Sequence, residues 1–218
     1  MQKAVAVGCT INFAGFQWRV LDRKDNRALL ISKKIIETRP YHTEAEEISW
    51  QDSSLRDYLN GDFFNRFSEK AQQAVAETIN RNTKNPWYNT SGGYMSCDRV
   101  FILSLDEVAR YFGNSGALAQ KQGKHINYFC VKNNEFAQIA KPDISQWCSF
   151  ADQYNAARIA HDKSGKALRW WLRTPGDSEL HAAYVFDNGS VDVGGVGVST
   201  KRHDAHFYGV RPALWLYL

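Results

Sequence analysis

The stretch Gly209-Val210-Arg211-Pro212-Ala213-Leu214-Trp215-Leu216 is an apolar run close to the C-terminus. A run of this kind has to be buried against another element. The matching element lies near the opposite end of the sequence. Ile11, Phe13, Trp18, Val20 and Leu21 form an apolar run with Gly15 at a bend. The polar turn Asp22-Arg23-Lys24-Asp25-Asn26 then leads into Ala28-Leu29-Leu30-Ile31-Ser32. Two apolar runs around a polar turn predict a hairpin, and pairing the two terminal strand regions would bury both.

Between these ends the pattern becomes helical. Asp52, Ser53 and Ser54 offer caps ahead of the stripe Leu55, Tyr58 and Leu59, and Phe63, Phe64 and Phe67 follow past Gly61. Ser68 precedes Ala71, Val75 and Ile79 at spacings of four, which predicts a second helix. Val100-Phe101-Ile102-Leu103 reads as a short buried strand. Ser104 with Glu107 forms a capping box, Val108 and Tyr111 supply the apolar face, and Gly113 closes that helix. Residues 114–165 read as a family-variable insertion of long loops and short helices. From Ala167 strands return as Leu168–Arg173 and Ala182–Phe186. Asp187-Asn188-Gly189 is a hairpin turn with Asn-Gly suited to positive φ, and Ser190–Val193 leads back. Strands at both ends, two to three helices between them and no βαβ alternation predict one α+β domain over residues 1–218.

Composition limits the function. Hydrophobic residues at 44% and charged residues at 23% place the chain among globular proteins rather than disordered ones. A net charge of +4 without a dense Lys/Arg block argues against nucleic acid as partner. No apolar stretch approaches the roughly 20 residues that span a bilayer, so no membrane insertion is expected. The N-terminal run Ala4–Val7 is too short for a signal segment. It predicts a cytoplasmic chain that reaches a virion or surface only by another route. Cys9, Cys97, Cys130 and Cys148 show neither CxxC nor zinc-ligand spacing and are expected to be free buried thiols.

Catalytic motifs are missing. GxSxG, Walker-A and GxGxxG do not occur, and Gly194-Gly195-Val196-Gly197 lacks the following Lys that phosphate cradling needs. His203-Asp204-Ala205-His206 has an HxxH spacing, but a loop does not fix i and i+3 on one face, so no metal and no cofactor are expected. Arg173 and Arg211 sit in aromatic motifs and are read as guanidinium groups that donate to backbone carbonyls and stack on Trp. Together with Arg19, Pro212 and the core candidates Trp18, Trp170, Trp171 and Trp215 they form the expected framework.

Four motifs occur in order: Phe13-Ala14-Gly15-Phe16-Gln17-Trp18-Arg19-Val20-Leu21, Ser54-Leu55-Arg56-Asp57-Tyr58-Leu59-Asn60, Trp170-Trp171-Leu172-Arg173-Thr174-Pro175-Gly176 and Gly209–Leu216. With these the chain resembles a bacterial domain family with the C-type-lectin fold, similar to the formylglycine-generating-enzyme branch. Several relatives there are variable proteins of diversity-generating retroelements. The resemblance covers nearly the whole chain outside 114–165. It implies a C-type-lectin-like fold with paired terminal strands. Formylglycine-generating relatives need a cysteine pair late in the chain, and no Cys follows Cys148. Calcium-binding lectins of the fold use Glu-Pro-Asn or Gln-Pro-Asp, and neither triplet is present.

The retroelement reading makes a compositional prediction. Adenine-directed mutagenesis of AAC-type codons cannot yield Lys, Glu, Gln, Met or Trp. These make up 41 of 218 residues overall, yet Leu180–Val210 holds one, Lys201. Strands and Gly-rich turns are depleted in Lys, Glu and Gln anyway, which is the competing explanation. Residues 177–210 are thus the candidate variable region. His181, Tyr184, Phe186, Asp192, Ser199, Arg202, His203, Asp204, His206, Phe207 and Tyr208 are its candidate ligand-binding residues, with about a third expected to be buried by strand alternation. The expected function is non-enzymatic binding of a protein or cell-surface ligand. An enzyme of the formylglycine-generating-like branch with altered chemistry, or a structural module of a bacterial or phage assembly, remains the alternative.

Overall fold

The computed structural model describes residues 5–120, 148–199 and 207–218. In chain order its strands are β1 (Thr10–Phe13), β2 (Phe16–Lys24), β3 (Arg27–Ser32), β4 (Glu37–Arg39), β5 (Val75–Ala76), β6 (Thr78–Asn80), β7 (Ser96–Asp98), β8 (Ser149–Phe150), β9 (Trp170–Pro175), β10 (His181–Val185), β11 (Val191–Gly197), β12 (Tyr208–Val210) and β13 (Ala213–Tyr217). The α-helices are α1 (Ser54–Tyr58), α2 (Glu69–Ala74), α3 (Leu105–Phe112) and α4 (Asn155–Arg158). The result is a mixed, sheet-rich α+β architecture.

The strands form a five-stranded sheet in the order β1-β2-β3-β13-β5, a six-stranded sheet in the order β4-β12-β9-β10-β11-β8, and the two-stranded ribbon β6-β7. The terminal strand regions do pair: β13 runs antiparallel to β3, with Leu214 opposite Leu30 and Trp215 opposite Leu29. The β2–β3 hairpin turns at Asp25 and Asn26, both at positive φ (50° and 57°), as a turn matched to strand twist requires. One continuous core takes Trp18, Leu30 and Leu214 from the first sheet and Trp170, Trp171 and Val191 from the second. The Ser104/Glu107 capping box starts α3, and its buried face is Leu105, Val108, Ala109 and Phe112.

Several local expectations are corrected. The helix predicted through Ala71, Val75 and Ile79 ends at Ala74; Val75 joins β5 and Ile79 joins β6. Val100–Leu103 is buried as expected but makes only the single bridge Phe101–Ala213. In the Asp187-Asn188-Gly189 turn only Gly189 takes positive φ (82°). Cys97 is an exposed thiol, whereas Cys9 and Cys148 are half-buried.

The framework residues differ in burial and in partners. Trp18, Trp170 and Trp171 are fully buried. Trp215 is only half-buried, under the Arg27 guanidinium. Arg173 donates to the Ile102 carbonyl (2.8 Å) and to both carboxylate oxygens of Glu107 (2.5 and 2.9 Å). Its ring partner is Phe101 rather than a Trp. Arg211 donates through Nε to the Ser32 carbonyl (3.1 Å) and lies between Phe112 and Trp170. Half-buried Arg19 lies over the same Phe112 ring, and the Pro212 carbonyl accepts from the Ser32 amide.

Candidate functional site

Strand register decides what the C-terminal segment can present. Tyr184 of β10 is opposite Trp171 of β9 on one side and Asp192 of β11 on the other. Cross-strand partners share a face of the sheet, so Trp171, Tyr184 and Asp192 form a row. Tyr208 of β12 extends it, stacking on Trp171 at 4.7 Å and meeting Tyr184 edge-on at 4.7 Å. Phe186 continues the aromatic contacts from Tyr184 (4.8 Å). The exposed Arg169 covers Phe186 and donates to the Tyr208 hydroxyl (3.2 Å).

About a third of the candidate residues was expected to be buried; among the seven that the structure describes, four are. Tyr184, Asp192, Ser199 and Tyr208 are buried. Each has a packing reason. Tyr184 and Tyr208 lie within the aromatic row, Asp192 ends it, and Ser199 bridges to His42 beside β11. His181 and Phe186 are half-buried, and Phe207 is 56% exposed. Arg202, His203, Asp204 and His206, and with them the HxxH spacing, lie outside the described residues.

At the buried end of the row the candidate Asp192 meets Cys148 and Tyr88, a cluster that the sequence reading missed. The Asp192 carboxylate accepts from the Gly195 amide (2.8 Å), lies 3.7 Å from the Cys148 thiol, and is hydrogen-bonded by the Tyr184 hydroxyl. Burial dominates these contacts and raises the Asp192 carboxyl to about 6. Burial, then the Asp192 charge, pushes the Cys148 thiol up to about 12. The Tyr88 hydroxyl approaches the same place over Gly194, where the Cys148 Cβ also sits. The only signal in the sequence for this cluster was the tight glycine spacing at 194 and 195, which lets these side chains converge on bare backbone.

Two further arrangements stand out. Asp98 is wholly buried and accepts from Arg56 Nε (2.5 Å), Trp50 Nε1 (3.1 Å), Asn80 Nδ2 (2.7 Å) and Ser96 Oγ (2.8 Å), tying α1 to the β6-β7 ribbon. A shallow depression of about 150 Å³ lies between Ala45-Glu46 and Leu180, Val198 and Ser199. Among the described residues no group of three or more His, Cys, Asp or Glu side chains is placed to hold a metal. No helix there is long and apolar enough to cross a membrane.

The fold and this row define a two-sheet α+β domain with an aromatic face and a buried acid. The chain belongs to the family described as a domain of unknown function (DUF6273), whose model matches residues 25–218. Neither the curated proteins nor the solved structures contain a significant match.

Proposed function

We propose that the domain is of the C-type-lectin type and is a non-enzymatic binding protein. It offers the rim of its six-stranded sheet to a protein or cell-surface ligand. The antiparallel β3–β13 closure supports the fold reading. The observation that carries the function is the passage from a locked interior to an open rim. Trp171, Tyr184 and Tyr208 are immobilised by one another, while Phe186, Arg169 and Phe207 reach solvent. Aromatic and arginine side chains on a rigid frame supply contact area at low entropic cost, which is the composition of binding hot spots.

On this reading, diversification by a retroelement acts on His181, Phe186, Phe207 and the Arg202-His203-Asp204-His206 stretch. Tyr184, Asp192, Ser199 and Tyr208 belong to the frame. The test has two arms. Arrays of glycans and surface proteins are probed with the wild type and with Phe186→Ala/Phe207→Ala. A ligand captured by the wild type and lost by the variant is expected; equal capture by both overturns the binding rim. In the gene neighbourhood, a reverse transcriptase with a template repeat mismatched only at adenines is expected, and its absence removes the retroelement.

A further inference from the structure

Among the described residues the β6-β7 ribbon has an open edge, and its chemistry is self-complementary. Its register sets Thr78 opposite Asp98, Ile79 opposite Cys97 and Asn80 opposite Ser96. In an antiparallel ladder, opposite residues alternate between exchanging both backbone bonds and turning them away from each other. The Cys97 carbonyl is turned to α1, where it accepts from Arg56 Nη2 (3.1 Å). No backbone bond joins Glu77 to Arg99 or Met95 to Arg81, as the other alternation would require. Ile79 and Cys97 are therefore the non-bonded pair, and the N–H and C=O of Ile79 point away from β7. Neither finds a partner among the described residues. By the same alternation Glu77, Ile79 and Arg81 turn their side chains to one face, and Glu77 and Ile79 turn their backbone groups to this edge; the Arg81 carbonyl is taken by the Thr83 amide (3.1 Å), which leaves its N–H. All three side chains are exposed, Ile79 by 71%.

An open edge with an exposed apolar centre is a template for another strand. We propose that the occupant is a second copy of this chain, with β6 pairing antiparallel to its own counterpart about a two-fold axis through Ile79. The charge pattern selects this partner. Centred on Ile79, the register puts Glu77 opposite Arg81 of the second copy, and Arg81 opposite its Glu77. The two Ile79 residues exchange both backbone bonds. Sliding by two residues in either direction puts a charged side chain opposite Ile79 and loses both ion pairs. Cross-strand opposite charges stabilise a pairing and like charges oppose it. Such an interface is isologous, as two-fold dimers require. It joins the two ribbons into one four-stranded sheet, with Cys97, Ile79 and their counterparts as a continuous apolar stripe. The two Cys97 residues would sit three strand spacings apart, about 14 Å, too far for a disulfide.

Sedimentation equilibrium over a rising concentration series tests this, with circular dichroism and melting to confirm that each variant is folded. The wild type is expected to dimerise, unchanged by reductant or by Cys97→Ser. Glu77→Arg and Arg81→Glu should each raise the dimer dissociation constant about tenfold, since each converts two ion pairs into like-charge contacts. The Glu77→Arg/Arg81→Glu double variant should restore wild-type dimerisation. Glu77 also pairs with Arg99 in its own chain (3.0 Å), so Arg81→Glu is the cleaner single variant. A wild type that stays monomeric, single variants that dimerise as well as it does, a double variant that fails to recover, or a dimer that needs oxidation would each overturn the proposal. None of these outcomes bears on the binding rim, which lies on another sheet.

Discussion

At the scale of single residues, Asp192 has the most consequential environment. Its carboxyl is raised from 3.8 to about 6, chiefly by burial, against the opposing hydrogen bonds from the Gly195 amide and the Tyr184 hydroxyl. A raised carboxyl binds its proton more tightly in the folded than in the unfolded chain. The stability it contributes is therefore fully present below about pH 4 and is lost as pH rises through about 6. Two pKa units correspond to a loss on the order of 3 kcal/mol. Asp192→Asn should abolish this dependence while keeping the carbonyl acceptor for Gly195. Urea denaturation of both proteins at a series of pH values measures it. The stability difference, variant minus wild type, should grow between pH 4 and 7 and then level off. A difference that is constant with pH would show that Asp192 ionises in the fold at no cost.

At the scale of elements, the turn between β10 and β11 makes a similarly specific prediction. Gly189 has φ of 82°, and a Cβ there would lie 1.9 Å from the Asn155 carbonyl oxygen at the start of α4. Gly189→Ala combines backbone strain of about 1–3 kcal/mol with a clash that pushes α4 from the hairpin. Its melting temperature should fall, and amide exchange should quicken in α4 and β11 before elsewhere. What was legible in the sequence follows the same local logic. The α3 capping box, the Ser53 and Ser68 caps and the β2–β3 hairpin are written in neighbouring residues, and they form as read. The four-residue spacing of Ala71, Val75 and Ile79 misled because pairing between β5 and β13 outweighs helical periodicity at a β-branched Val75. The candidate site was half legible. Composition marked residues 181–208 as unusual, but composition does not reveal which face of a strand is covered. Tyr184, Asp192 and Tyr208 are inside because of register with β9 and β11. The Cys148–Asp192 contact spans 44 positions in sequence, beyond any local pattern.

At the scale of the whole molecule, Arg211 is where the two large sheets and α3 meet. Its Nε holds the Ser32 carbonyl at the end of β3, and its guanidinium carbon lies 5.0 Å from the ring centre of Trp170 of β9 and 5.2 Å from that of Phe112 of α3. Burial, with Arg19 nearby, lowers it to about 9, so it remains charged at neutral pH in an apolar setting. The stacking and the charge-assisted hydrogen bond are what offset that burial. A lysine cannot reproduce them, because its ammonium is a point charge on a flexible stem that cannot lie flat between two rings. Arg211→Lys should therefore cost about 2–4 kcal/mol, the combined scale of a desolvated cation–π contact and a hydrogen bond to a charged group. The loss should spread to both sheets, since the contact belongs to neither alone. Tryptophan fluorescence reports on the seven Trp side chains, which include Trp18 of the first sheet and Trp170 and Trp171 of the second, and far-ultraviolet circular dichroism reports on all the strands. If Arg211 couples the sheets, Arg211→Lys should shift both transitions downward together, while a shift confined to fluorescence would mean that the sheets are joined elsewhere.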